Sequence, residues 1–83
     1  MRYLFMSKSL TYTQRAQKTL ERMGISANII KAPSSLSTRG CAYSVSVSYG
    51  KGIRAAEILR NANLLQGRIY VQDTNGEFKE AQL

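Results

Sequence analysis

The sequence predicts an α+β sandwich in which two helices pack on one face of a four-stranded antiparallel sheet. Three observations carry that prediction. Two stretches repeat apolar residues at helical spacing, and four short stretches are either apolar or alternate with a period of two. They follow one another as strand, helix, strand, strand, helix, strand. At 83 residues the chain, read as one domain over 1–83, has room for a single modest core.

Tyr3 to Met6 is an aromatic and aliphatic run that reads as the first strand, and Ser7-Lys8-Ser9 breaks it. Thr11 and Gln14 have the spacing of a capping box, which predicts a helix from about Thr11. Tyr12, Ala16, Leu20 and Met23 recur on one helical face and are expected in the core, with Arg15, Lys18 and Arg22 pointing elsewhere. Gly24 stops the helix, because glycine tolerates the left-handed conformation common just past a helix end.

Ser26 to Lys31, with Ile29 and Ile30, reads as a second strand that Pro33 ends, since proline donates no ladder hydrogen bond. After a loop through Gly40 comes the clearest strand, where Tyr43, Val45 and Val47 alternate with Ser44, Ser46 and Ser48. One face is expected to be buried and the serine face wet. Tyr49-Gly50-Lys51-Gly52 turns into a second helix, about Ile53 to Ala62, with Ile53, Ala56, Leu59 and Ala62 as its apolar stripe. Gly67 opens a last strand, Arg68 to Gln72, with Ile69 and Val71 on one face. Asn75-Gly76 is a two-residue hairpin signal. Residues 73–83 therefore either return through Phe78 as an extra C-terminal strand or fray. The order is that of the ferredoxin-like βαββαβ sandwich.

The formal charge of +7 is uneven: residues 1–72 carry +9 and residues 73–83 carry −2. A basic body favours anionic partners. Met1 to Met6 is too short for the apolar core of a signal peptide, and no stretch approaches membrane-spanning length, so a cytoplasmic protein without a membrane partner is expected. One cysteine forms no internal disulfide, and with no histidine it anchors no metal, so none is expected.

That cysteine, Cys41, stands where the polar loop Pro33-Ser34-Ser35-Leu36-Ser37-Thr38-Arg39-Gly40 meets the alternating strand. In the sandwich topology this loop shares a sheet end with the start of the first helix. Its neighbours there are Ser7, Lys8, Ser9 and the free N–H groups near Thr11. A helix N-terminus carries partial positive charge, and Lys8, Lys31 and Arg39 add more. Such surroundings lower a thiol pKa and favour the thiolate. The candidate site is therefore Cys41 as the reacting group, with Ser9, Lys8, Arg39, Gly40, Lys31 and Thr11 as binding groups.

Each has a plainer reading. A free cysteine is often a small buried residue, exposed cations are usually just solvated, and serines and threonines satisfy turns. Hydrolytic catalysis is excluded, because the thiol has no histidine to serve as base. Five scattered acids make no catalytic carboxylate pair, and there is no phosphate-loop motif.

Tyr3-Leu4-Phe5, the helix ending Leu20-Glu21-Arg22-Met23-Gly24-Ile25, Ile30-Lys31-Ala32-Pro33 and Ser35-Leu36-Ser37-Thr38-Arg39-Gly40-Cys41 together resemble the selenium/sulfur (Se/S) carrier protein-like family. Its members are short bacterial domains, and the resemblance covers roughly residues 3–72. It implies that Cys41 carries sulfur or selenium as a covalent persulfide or perselenide, with no other cofactor. It also implies donor and acceptor proteins as partners, and a carrier more than a stand-alone enzyme. Many members have glycine directly after the cysteine, whereas here Ala42 follows and Gly40 precedes.

Two other classes of function stay open. The charge and the sandwich fit a nucleic-acid-binding module, although RNA-recognition domains stack bases on sheet aromatics and the third strand offers serines instead. A protein-interaction module that pairs through a sheet edge, with Cys41 structural or bridging two copies, is the other.

Overall fold

β1 (Arg2–Ser7) lies between β3 (Tyr43–Ser48) and β4 (Ile69–Gln72) and pairs antiparallel with both. β2 (Asn28–Lys31) pairs with β3, and β5 (Phe78–Ala81) pairs with β4, giving the order β2-β3-β1-β4-β5. This computed structural model describes residues 1–36 and 42–83. The expectations for Ser37, Thr38, Arg39, Gly40 and Cys41 lie outside the described residues. The architecture is α+β and antiparallel, consistent with the ferredoxin-like sandwich plus one extra strand.

The extra strand answers the question left open for residues 73–83, which return as a hairpin. The turn is not the two-residue form that Asn75-Gly76 suggested. Asp73 N–H donates to the Glu77 carbonyl at 2.9 Å, and Gly76 N–H donates to the Asp73 carbonyl at 3.0 Å. Gly76 sits at φ 84°. Those bonds describe a three-residue loop with a left-handed glycine as its bulge. The Asp73 carboxylate stabilises it by accepting from Asn75 N–H and Glu77 N–H.

α1 (Leu10–Arg22) starts earlier than the Thr11 capping box suggested. Ser9 is the cap, its Oγ accepting from Tyr12 N–H at 3.2 Å. The buried face also differs from the expected one. Thr13, Ala16 and Leu20 are buried, whereas Tyr12 and Met23, expected in the core, are exposed. Thr13 tolerates complete burial because its hydroxyl donates to the Ser9 carbonyl at 2.8 Å.

α2 (Gly52–Asn61) follows a 3₁₀ turn at Tyr49–Lys51. Its buried face is Gly52, Ala55, Ala56 and Leu59. Ile53, expected to lead the stripe, is 70% exposed, and Ala62 is exposed as well. The cause is a close approach to β1. The Tyr3 ring stacks on Tyr49 with centroids 5.1 Å apart, and a Cβ added at Gly52 would overlap the Tyr3 ring. The helix can settle only by presenting Gly52 to that ring. Burial, then the neighbouring Tyr49 hydroxyl, raises the Tyr3 pKa. Gly52→Ala is expected to cost about 1–3 kcal/mol through displacement of this ring, read as a lowered midpoint in thermal unfolding.

The main core joins Tyr3, Phe5, Val45, Val47 and Ile69 of the sheet to Ala16, Leu20, Ala55, Ala56 and Leu59 of the helices. The opposite sheet face is not wet. Leu4 and Met6 of β1 lie there opposite Ser46 and Ser44 of β3, and Leu36 from the loop after β2 packs against them. Ser44 and Ser46, expected to face water, are buried.

Candidate functional site

The register places one sheet end in view from four elements. Ser7 closes β1 opposite Tyr43, and Tyr43 on its other side pairs with Lys31 of β2. Ala32 N–H donates to the Ala42 carbonyl at 2.9 Å, so the β2–β3 pairing extends to the residue that follows Cys41 in sequence. At the same end Met6 N–H donates to the Arg68 carbonyl at 3.1 Å, just before β4. The first turn of α1 begins at Leu10, three residues beyond Ser7.

Short local bonds hold this end together. The Ser7 hydroxyl, 5% exposed, donates to Gln66 Oε1 at 3.2 Å and lies 3.3 Å from the Ser9 carbonyl. The Ser9 carbonyl also accepts from Thr13 N–H at 3.1 Å. Ser9 thus spends its side-chain and backbone oxygens on the helix start. Lys8 sits between the two serines with its side chain in solvent, and Lys31 and Thr11 are likewise exposed. The positive end of the α1 dipole and two solvated cations therefore share this sheet end. Arg39, Gly40 and Cys41 lie outside the described residues.

Gln66 and Arg68 join the same end and were not anticipated. Gln66 is 59 positions from Ser7, and no local pattern announces a contact at that separation. Arg68 reaches Glu80 of β5 at 3.7 Å, with both side chains about half exposed. A pair so solvated contributes little to stability.

On the other face, the Ser44 hydroxyl is fully buried without a hydrogen-bond partner among the described residues. A buried hydroxyl left unpaired is destabilising. Ser44→Ala is accordingly expected to stabilise the fold by about 1 kcal/mol, a rise of roughly 4–8 °C in melting temperature for a domain of this size.

Among the described residues, no group of three or more His, Cys, Asp or Glu could hold a metal ion. No helix among them is long and apolar enough to cross a membrane. A family model described as "Putative Se/S carrier protein-like" matches residues 2–71, from the first strand into β4. No curated protein and no solved structure matches the chain.

Proposed function

The chain belongs to the Se/S carrier protein-like family, and from that membership we propose that it holds and passes on sulfur or selenium through Cys41. The observation that carries the reading is the family match itself, whose span includes Cys41. The absence of histidine and of a second cysteine supports a thiol that works alone.

The chemistry is thiol exchange. The Cys41 thiolate attacks the outer sulfur of a donor persulfide, R–S–SH. The new S–S bond forms as the donor's S–S bond breaks, and the donor leaves as thiolate, R–S⁻. Cys41 then carries –S–SH. An acceptor thiolate attacks that outer sulfur in turn and returns Cys41 as thiolate. No net oxidant or reductant is consumed, and selenium follows the same path with –S–SeH as the carried form. Such exchange is fastest when the attacking thiol has a pKa near ambient pH, so no general base is needed.

The surroundings assigned to Cys41 in this reading are the α1 N-terminus at Ser9 and Thr11, the ammonium groups of Lys8 and Lys31, and Arg39 with Gly40 beside it in sequence. The helix end and the three cations favour a thiolate over a thiol. Donor and acceptor proteins are the partners, and the reducing cytoplasm is the compartment that suits a persistent free thiol.

The rate of iodoacetamide alkylation against pH tests the electrostatic part. A midpoint well below about 8.5, the value for an unperturbed thiol, is expected. A midpoint at that value would remove the role given to Lys8, Lys31 and the helix. Intact mass after incubation with a cysteine desulfurase and cysteine tests carriage, with a gain of one sulfur atom expected.

Nucleic-acid binding through the sheet is the weaker reading. RNA-recognition domains stack bases on exposed aromatics of the open face. Here the two central strands present Leu4, Met6, Ser44 and Ser46 on that face, with Leu36 packed against the leucine and methionine.

A further inference from the structure

The strongest feature outside the Cys41 end is on α1. Arg15, Lys18 and Arg22 are spaced three and four residues apart, which at 100° per residue confines them to one narrow stripe of the helix. All three are exposed. They line an open groove of about 300 Å³ together with Thr19 of the same helix and Ala62 and Leu64, which follow α2.

The stripe keeps a net positive charge. Among the described residues the ion pair is Arg68 with Glu80, and none of the three cations forms one. Like charges three and four residues apart destabilise a helix, and the single acid of α1, Glu21, three residues after Lys18, offsets at most one of the three cations. Only Arg22, in the last turn, gains from the helix dipole. The Arg15 guanidinium also lies over the Tyr12 ring, 5.7 Å from its centroid.

We propose that this groove docks an acidic segment of a partner protein, its carboxylates meeting Arg15, Lys18 and Arg22 and an apolar side chain covering Ala62 and Leu64. The mixed lining selects this occupant. Three cations beside an apolar wall match a segment that alternates acidic and apolar residues. A nucleic-acid strand would use the cations but needs flat aromatic partners for its bases, and none lines the groove. Docking here requires no chemistry at Cys41, so it stands or fails independently of sulfur carriage.

The test uses the full chain at physiological salt and a fluorescent peptide that alternates glutamate pairs with leucine. Because the whole chain is basic, charge alone would give some binding, and the comparison of two charge-matched triple variants decides. Arg15→Gln, Lys18→Gln and Arg22→Gln together are expected to weaken binding about tenfold, as for three solvated ion pairs. Lys51→Gln, Arg54→Gln and Lys79→Gln together, all outside the groove, are expected to change it less than twofold. Replacing the peptide leucines with serine is expected to weaken binding as well. Equal losses in the two triple variants, no binding at all, or indifference to the leucines would overturn the proposal. So would tighter binding of a single-stranded oligouridylate that is lost in the groove variant, which would assign the face to nucleic acid.

Discussion

A chain carrying Cys41→Ser is expected to take up no sulfur from a cysteine desulfurase supplied with cysteine, where the unaltered chain gains one sulfur atom. Cys41 is the sole thiol, so no other side chain can accept a sulfane sulfur in its place. Serine keeps the size and polarity of the position, but its hydroxyl stays protonated at neutral pH, and there is no histidine to activate it. The loss is therefore expected to be complete, and intact mass spectrometry reads it directly. An unchanged melting temperature in the same variant separates lost chemistry from lost folding. Sulfur retained on the serine variant would end the carrier reading. The contribution of charge can be weighed separately. A thiol with pKa 8.5 is about one-tenth thiolate at pH 7.5, and a one-unit fall makes it about half. If Lys8 and Lys31 supply that fall from solvent, salt should reverse it, since screening shortens from about 10 Å at 0.1 M to about 3 Å at 1 M.

The order and type of the elements were legible in the sequence because each has a period of its own. Val45 and Val47 alternate, Ala16 and Leu20 sit one helical turn apart, and both patterns survive folding intact. Which residues fill the faces was legible only in part. In helix α1, Ser9 and Thr11 both qualify as cap and Ser9 takes the role, while Thr13 lies inward and Tyr12 outward. A buried threonine escapes any count of apolar residues, because its hydroxyl is satisfied by a carbonyl one turn back. In α2, Ile53 is the stronger apolar residue and Gly52 faces the core, since only a glycine fits against the Tyr3 ring. Close approach leaves no hydrophobic signal.

The serine face of β3 shows a different limit. Along one strand, Ser44 and Ser46 look like the wet side of a half-buried pleat. Their burial comes from neighbours remote in sequence, Leu4 and Met6 on β1 and Leu36 after β2. A face is a property of the assembled sheet, and one strand reports only its own share. The site divides along the same line. The convergence of Ser7, Lys31 and the α1 start on one sheet end follows from topology and was anticipated. Gln66 and Arg68 reach that end through tertiary packing, which no local spacing encodes.

That second face leads to the largest expected effect on stability. Leu4→Ala should cost about 2–5 kcal/mol, the range for deleting a buried leucine from a core that cannot fully collapse. Leu4 is fully buried on the central strand, on the side away from both helices, with Met6, Leu36, Ile30, Ala32, Tyr70 and Phe78 in its cluster. β3 and β4 pair with β1 on either side of it, so the backbone cannot shift to close the cavity. Small domains hold roughly 0.05–0.15 kcal/mol per residue, so one such loss removes a large part of the total. With a slope near 2 kcal/mol per molar guanidinium, the unfolding midpoint should fall by about 1–2.5 M. Ile53→Ala, at a position 70% exposed, is the control and should stay within about 0.5 kcal/mol. If Leu36 covers the leucine, the two truncations will not add, and the Leu4→Ala, Leu36→Ala cycle should show a coupling of about 0.5 kcal/mol or more. Additive losses would mean that Leu36 merely rests beside the face. A cost below about 1 kcal/mol at Leu4 would mean the face is open after all, and a flat surface beside Tyr70 and Phe78 would return as a place for a partner to bind.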